Sequence, residues 1–175
     1  MNKGRPSVRR AGRGGRNCRF AIVVSRFNDA VTEKLLAGAM ACLRENGVPG
    51  KSVGVFRCPG AFELPQVAAM LARRKRWDAI ICLGAVIRGA TPHFEYVSAE
   101  AARGIQNVAL QYAIPVVFGV LTTNTERQAF ERAGGRHGNK GWDAVVTAME
   151  MTDLVSQIRP ESGKSKPSKR GRRVD

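Results

Sequence analysis

Four short apolar runs alternate with stretches of helical spacing, and this alternation constrains the fold more than anything else in the chain. The runs cover residues 20–25, 52–56, 78–84 and 115–121 and are dominated by Val, Ile, Phe, Leu and Ala. Such blocks of roughly four to eight residues, bounded by polar or turn-forming residues, fit parallel strands covered on both faces. Between the first two, Val31, Leu35, Leu36, Ala39, Met40 and Leu43 recur at helical spacing, with Asn28 or Asp29 as N-cap and Gly47 as the stop. Pro65 suits the first turn of a second helix, where its missing N–H costs nothing; Val67, Ala68, Met70 and Leu71 continue it to Arg73-Arg74-Lys75-Arg76. Phe94, Val97, Ala101, Ile105, Val108 and Tyr112 mark a third helix. Residues 126–132 form a fourth, capped from Thr122-Thr123-Asn124-Thr125, and residues 142–158 a fifth that closes before Pro160. The alternation predicts an α/β fold, a three-layer αβα sandwich whose four-stranded parallel sheet carries helices on both faces through right-handed crossovers.

Charge separates this domain, residues 20–158, from the two ends. Of a formal +15, residues 1–19 carry +7 and residues 159–175 carry +5, leaving +3 between them. Both ends are rich in Gly, Pro, Ser and Arg or Lys without an apolar period, so they are expected to be disordered basic tails. Such tails either keep the protein soluble or contact nucleic acid or another polyanion, since clustered cations release counterions from phosphate. No aromatic residue interleaves them, so base stacking is not provided for. No apolar run approaches the ~20 residues that span a bilayer, and no apolar stretch follows the basic N-terminus as in a signal peptide, which predicts a cytoplasmic protein. Cys18, Cys42, Cys58 and Cys82 lack C-x-x-C pairing and read as free thiols, with neither a disulfide framework nor a metal site.

In a parallel sheet all strand C-termini share one edge, so turns distant in sequence become neighbours. Here these are Arg26-Phe27-Asn28, Pro59-Gly60-Ala61-Phe62-Glu63, residues 85–93 and residues 118–125. Together they offer an aromatic face at Phe27, the Glu63 carboxylate, open amides around Gly89, Ala90 and Thr91, and the imidazole of His93, one of two histidines in the chain. That collection suits a planar polar ligand together with an anion, and the imidazole of His93, near a helix N-terminus, suits proton transfer. Each piece has a plainer reading as well: Phe27 as a filler, Glu63 as a dipole partner, Arg132, Arg136 and Lys140 as solvated charges. The second histidine, His137, lies in a glycine-rich stretch, residues 133–141, expected to join the same site.

Five motifs in order resemble the lumazine synthase family: Ser25-Arg26-Phe27-Asn28; Pro59-Gly60-Ala61-Phe62-Glu63-Leu64-Pro65; Gly84-Ala85-Val86-Ile87-Arg88-Gly89-Ala90-Thr91-Pro92-His93-Phe94; Phe118-Gly119-Val120-Leu121-Thr122-Thr123; and Glu131-Arg132-Ala133-Gly134 followed by Gly138-Asn139-Lys140-Gly141. The resemblance covers about residues 18–158 and implies a flavodoxin-like topology. It also implies an activity, the condensation of 5-amino-6-(D-ribitylamino)uracil with 3,4-dihydroxy-2-butanone 4-phosphate in riboflavin biosynthesis, without a cofactor. By resemblance Phe27 stacks on the pyrimidine, Asn28, Ala61, Phe62 and Glu63 position the ribityl chain, and Val86, Ile87 and Lys140 frame the ring. Gly89, Ala90, Thr91 and Arg132 hold phosphate, His93 shuttles protons, and Phe118 comes from a neighbouring subunit. The family forms pentamers, some assembled into icosahedral 60-subunit shells, and riboflavin synthase is the implied partner that takes the product. A binding relative without turnover and an assembly whose tails bind nucleic acid are the competing readings; the full set of site residues favours the enzyme. His137, where the family usually has a small residue, and the long basic ends are the departures.

Overall fold

The computed structural model describes residues 18–158. The elements run β1 (Phe20–Ser25), α1 (Asp29–Glu45), β2 (Val53–Cys58), α2 (Leu64–Arg73), β3 (Ala79–Ile87), α3 (His93–Tyr112), β4 (Val116–Thr123), α4 (Glu126–Arg132), a ribbon of β5 (Ala133–Gly135) and β6 (Gly138–Asn139), and α5 (Lys140–Ile158). Strands β1 to β4 form one parallel sheet in the order β2-β1-β3-β4, as a flavodoxin-like topology requires. The central strands β1 and β3 are buried almost throughout, which is why they read as unbroken apolar runs.

Alternate strand residues feed two cores. Ile22, Val24, Ile81 and Leu83 pack with Leu35 and Leu43 of α1 and Val145 and Ala148 of α5. Ala21, Val23, Ile80 and Cys82 pack with Leu64 and Ala68 of α2 and Ala101 and Ile105 of α3. Each fully buried Ile or Leu contributes about 1.5–3 kcal/mol, so both layers are needed to hold the sheet.

Strand β3 departs from its expected end at Gly84 and runs on to Ile87. Gly84 is there for packing: a Cβ would lie 3.1 Å from Leu64 Cδ1 and 3.3 Å from Ser25 Oγ. The glycine stretch after α4 is likewise a matter of close approach. Asn139 donates from Nδ2 to the Lys34 carbonyl of α1 (2.8 Å) and accepts on Oδ1 from the amides of Gly141 (2.8 Å) and Trp142 (3.2 Å). It therefore caps α5, which starts at Lys140 and not at Trp142. A Cβ on Gly141 would sit 2.0 Å from the Leu35 carbonyl oxygen, so only glycine lets α5 cross α1 here.

The expected tails lie outside the described residues except for Cys18 and Arg19, which are tied to the fold. The Arg19 amide donates to Asp78 Oδ2 at 2.7 Å, and its carbonyl accepts from the Asp78 amide at 2.8 Å. Among the described residues no helix is long and apolar enough to cross a membrane.

Candidate active site

The C-terminal ends of β1, β2 and β3 build one cleft. The amides of Arg26 and Phe27 donate to the carbonyls of Cys58 and Pro59, both at 2.9 Å, which fixes the exit of β1 against the turn after β2. Asn28 sits in the left-handed region at φ 59°, a conformation Asn tolerates, and its Nδ2 donates to the Ala85 carbonyl at 2.8 Å. It thus holds β1 to β3 rather than capping α1 with its side chain. In the turn after β2, residues 61–63 form one 3-10 turn closed by a bond from the Gly60 amide to Glu63 Oε2 at 2.8 Å. The Glu63 carboxylate is therefore a local partner of the turn while it lines the cleft.

The cleft has a volume of about 670 Å³ and is lined by Phe27, Ala61, Phe62, Glu63, Val86, Ile87, Gly89, Thr91 and His93, together with Phe94, Tyr96 and Val97. The last three were not foreseen as site residues; Phe94 and Val97 read as core by their helical spacing, and Tyr96 lies outside that spacing. Phe27 is 71% exposed, so its ring is not core filler in the isolated chain. Residues 88–92 bridge β3 to α3, and His93 begins the helix, so its exposed imidazole stands at the cleft beside the first-turn amides. Amides and a helix dipole in this arrangement favour negative charge at the N-terminus of α3. A Cβ on Gly89 would meet nothing within 4 Å, leaving the space above that peptide open; Ala90 belongs to the same loop without lining the cleft.

Arg88 organises this loop, although in the sequence it is only one more arginine. Its amide donates to the Thr123 carbonyl at 2.9 Å, Nε to Asn124 Oδ1 at 2.9 Å and Nη1 to Glu95 Oε1 at 2.7 Å. The guanidinium carbon also lies 4.3 Å from the centre of the Phe94 ring. One side chain thus joins the end of β4 to the first turn of α3 and sets the loop between them. Beneath the cleft, burial raises the Cys58 thiol to about 11, with Glu63 adding to the effect, so it stays protonated and is no nucleophile near neutrality.

Three expected residues lie elsewhere. Phe118, Arg132 and Lys140 line a second cavity of about 1010 Å³ along the open side of β4, between α3 and α5. The reason is topological: β4 is the last strand of the sheet, and its free side, where Phe118 shares a cavity with Arg132 of α4 and Lys140 of α5, lies away from the cleft at β1 and β3. Arg132 donates from Nη1 to the Gln128 carbonyl at 3.0 Å, and Lys140 Nζ pairs with Asp143 Oδ2 at 2.7 Å. His137 lines neither cavity. Its amide donates to the Glu131 carbonyl at 2.8 Å and its Nε2 lies 3.8 Å from Glu131 Oε2. Within one chain, then, the glycine-rich stretch does not join His93, as a pocket shared between subunits would require.

Comparison with known proteins identifies the family to which this domain is similar. A family model described as 6,7-dimethyl-8-ribityllumazine synthase matches residues 17–156. A 6,7-dimethyl-8-ribityllumazine synthase of Syntrophus aciditrophicus is 60% identical over 140 residues, covering 80% of this chain and 91% of the relative. Proteins of the same name from Chlorobium phaeovibrioides (51% over 143 residues, 82% and 92% covered) and Desulfatibacillum aliphaticivorans (52% over 141 residues, 81% and 91% covered) are similar throughout the domain. With a family match over the whole αβα domain, the chain belongs to the 6,7-dimethyl-8-ribityllumazine synthase family.

Proposed function

We propose that the working site is assembled between two copies of the chain, with the His93 cleft of one closed by the β4 edge of the next. The observation that carries this reading is the division of the expected site residues between two cavities of one chain. Both cavities have apolar rims that water would otherwise cover: Phe27 and Tyr96 beside the cleft, Leu110, Phe118 and Ile158 along the β4 edge. Two different surfaces meeting head to tail generate a ring when the rotation closes.

The chain is an enzyme of riboflavin biosynthesis, condensing 5-amino-6-(D-ribitylamino)uracil with 3,4-dihydroxy-2-butanone 4-phosphate to 6,7-dimethyl-8-ribityllumazine, phosphate and water. The uracil brings its own amine as nucleophile, so the protein has to orient two substrates, hold phosphate and move protons. In our reading Phe27 stacks on the pyrimidine between Val86 and Ile87, and Asn28, Ala61, Phe62 and Glu63 take the ribityl chain. Gly89, Ala90 and Thr91 offer amides to the phosphate at the N-terminus of α3. Arg132 of the adjacent copy completes that pocket with a bidentate fork, while its Phe118 and Lys140 cover the ring. His93, between phosphate and ring, accepts and returns the protons of imine formation, phosphate elimination and ring closure.

The ring we propose is a pentamer in the cytoplasm, with a 60-subunit shell as the larger alternative and riboflavin synthase as the consumer of product. Five copies of the 19.0 kDa chain make about 95 kDa and sixty about 1.1 MDa, which sedimentation separates at once. Turnover confined to the assembled species supports the shared site. A fully active monomer overturns it.

A further inference from the structure

We infer that the sheet edge opposite the active site is a docking surface for the phosphate backbone of a nucleic acid. Among the described residues the longest run of unpaired cations lies at this opposite edge. At the site edge Arg88 pairs with Glu95, Arg136 with Glu131 and Lys140 with Asp143, while Arg26 and Arg132 stand apart in sequence and have no carboxylate partner among the described residues. At the other edge Arg73, Arg74, Lys75 and Arg76, at the end of α2 just ahead of β3, are exposed, and none pairs with a carboxylate among the described residues. The neighbouring acid, Asp78, is exposed and accepts from the Arg19 amide, not from any of these cations. Arg76 lies 5.3 Å from the centre of the half-buried Trp77 ring, which braces one guanidinium at the surface. Lys51, ahead of β2, shares this edge, as does Arg44 at the end of α1, against the acids Glu45 and Asp153.

Both ends of the described residues lie at the same edge. Arg19 is held by Asp78, and the Cys18 thiol by Thr152 of α5. Ile158 lies six residues beyond Thr152, about 9 Å along the helix, and lines the edge cavity with Pro115 at the start of β4. Residues 1–17 contain Lys3, Arg5, Arg9, Arg10, Arg13 and Arg16 and no acid, and residues 159–175 contain seven basic residues against Glu161 and Asp175. The basic end segments thus continue from positions, Cys18 and Ile158, at the edge that carries the run Arg73 to Arg76.

Phosphate is the chemistry these groups recognise, because guanidinium forks match its oxygens and each contact releases counterions. The two end segments carry no aromatic residue and few large aliphatic ones, so they offer none of the apolar anchors a protein partner fills. Binding is therefore sequence-independent and steeply dependent on salt.

The test is fluorescence anisotropy of a labelled single-stranded RNA oligonucleotide with the full chain between about 50 and 200 mM salt. The triple variant R73Q/R74Q/R76Q should weaken binding and flatten the salt slope by about two units, at roughly 0.7 per lost phosphate contact, with lumazine formation unchanged. Unchanged affinity and slope in that variant would remove the edge from the account. Equal displacement by polyglutamate, or binding to phosphatidylserine vesicles without binding to RNA, would overturn the choice of nucleic acid.

Discussion

Subunit mixing tests the shared site quantitatively. His93 lines the cleft and Arg132 the β4 edge, so each His93→Ala chain keeps a sound edge and each Arg132→Ala chain a sound cleft. Either variant alone has a lesion at every interface. When equal amounts are unfolded in urea and reassembled together, random neighbours place an intact cleft against an intact edge in about one quarter of interfaces. With the phosphorylated butanone held well below the KM of the Arg132→Ala variant, lumazine formation should therefore recover to about a quarter of the wild-type rate, far above either variant reassembled alone, and samples mixed without unfolding should show no gain. If each site lay within one chain, every chain would carry a lesion and no mixture could recover. Activity that stays at the mean of the two variants would refute the reasoning.

Four further outcomes follow from the same geometry. His93→Ala should lower turnover roughly 100-fold with little change in KM, as loss of a positioned acid–base group does, measured by steady-state kinetics. Arg132→Ala should raise the KM for the phosphorylated butanone while leaving that for the uracil near normal, and Arg132→Lys should not restore it, since a point charge lacks the fork. Asn139→Ala removes the bonds to Lys34, Gly141 and Trp142 and should cost about 2–3 kcal/mol in urea unfolding at fixed protein concentration. Burial, with Glu45 adding to it, raises the Cys42 thiol from 9.0 to about 12, and burial with Glu63 raises Cys58 to about 11. These groups hold their protons more tightly folded than unfolded. Their contribution is complete below about pH 9 and is lost as pH rises toward 11–12, so the urea midpoint should fall across that window while native thiols resist labelling at pH 8.

The strands and long helices were legible because burial on both faces leaves unbroken apolar runs and a helix on a sheet leaves its period. What escaped was set by long-range packing. Gly84 looks like a strand end in sequence, yet it is a smooth part of β3 that Leu64 and Ser25 crowd. Asn139 is one polar residue in a glycine run, and only the crossing of α1 by α5 makes it a cap and a tie. In the site, residues at the ends of β1, β2 and β3 converged as the parallel topology demands. Arg132 of α4 and Lys140 of α5 did not, since shared motif order carries no information about which side of β4 their helices place them on, and His137 turned back to Glu131. Arg88 left no periodic or compositional signal, because its role depends on Asn124 and Glu95 arriving from two other elements.

The most direct measurement of the central claim is to mix the purified chain with 5-amino-6-(D-ribitylamino)uracil and 3,4-dihydroxy-2-butanone 4-phosphate and follow lumazine fluorescence alongside phosphate release. The account predicts catalytic formation of 6,7-dimethyl-8-ribityllumazine, one phosphate released per product, abolished when the Phe118, Arg132 and Lys140 edge is replaced by alanines in every copy. Product formation that survives loss of that edge, or no formation by the intact assembly, would contradict it.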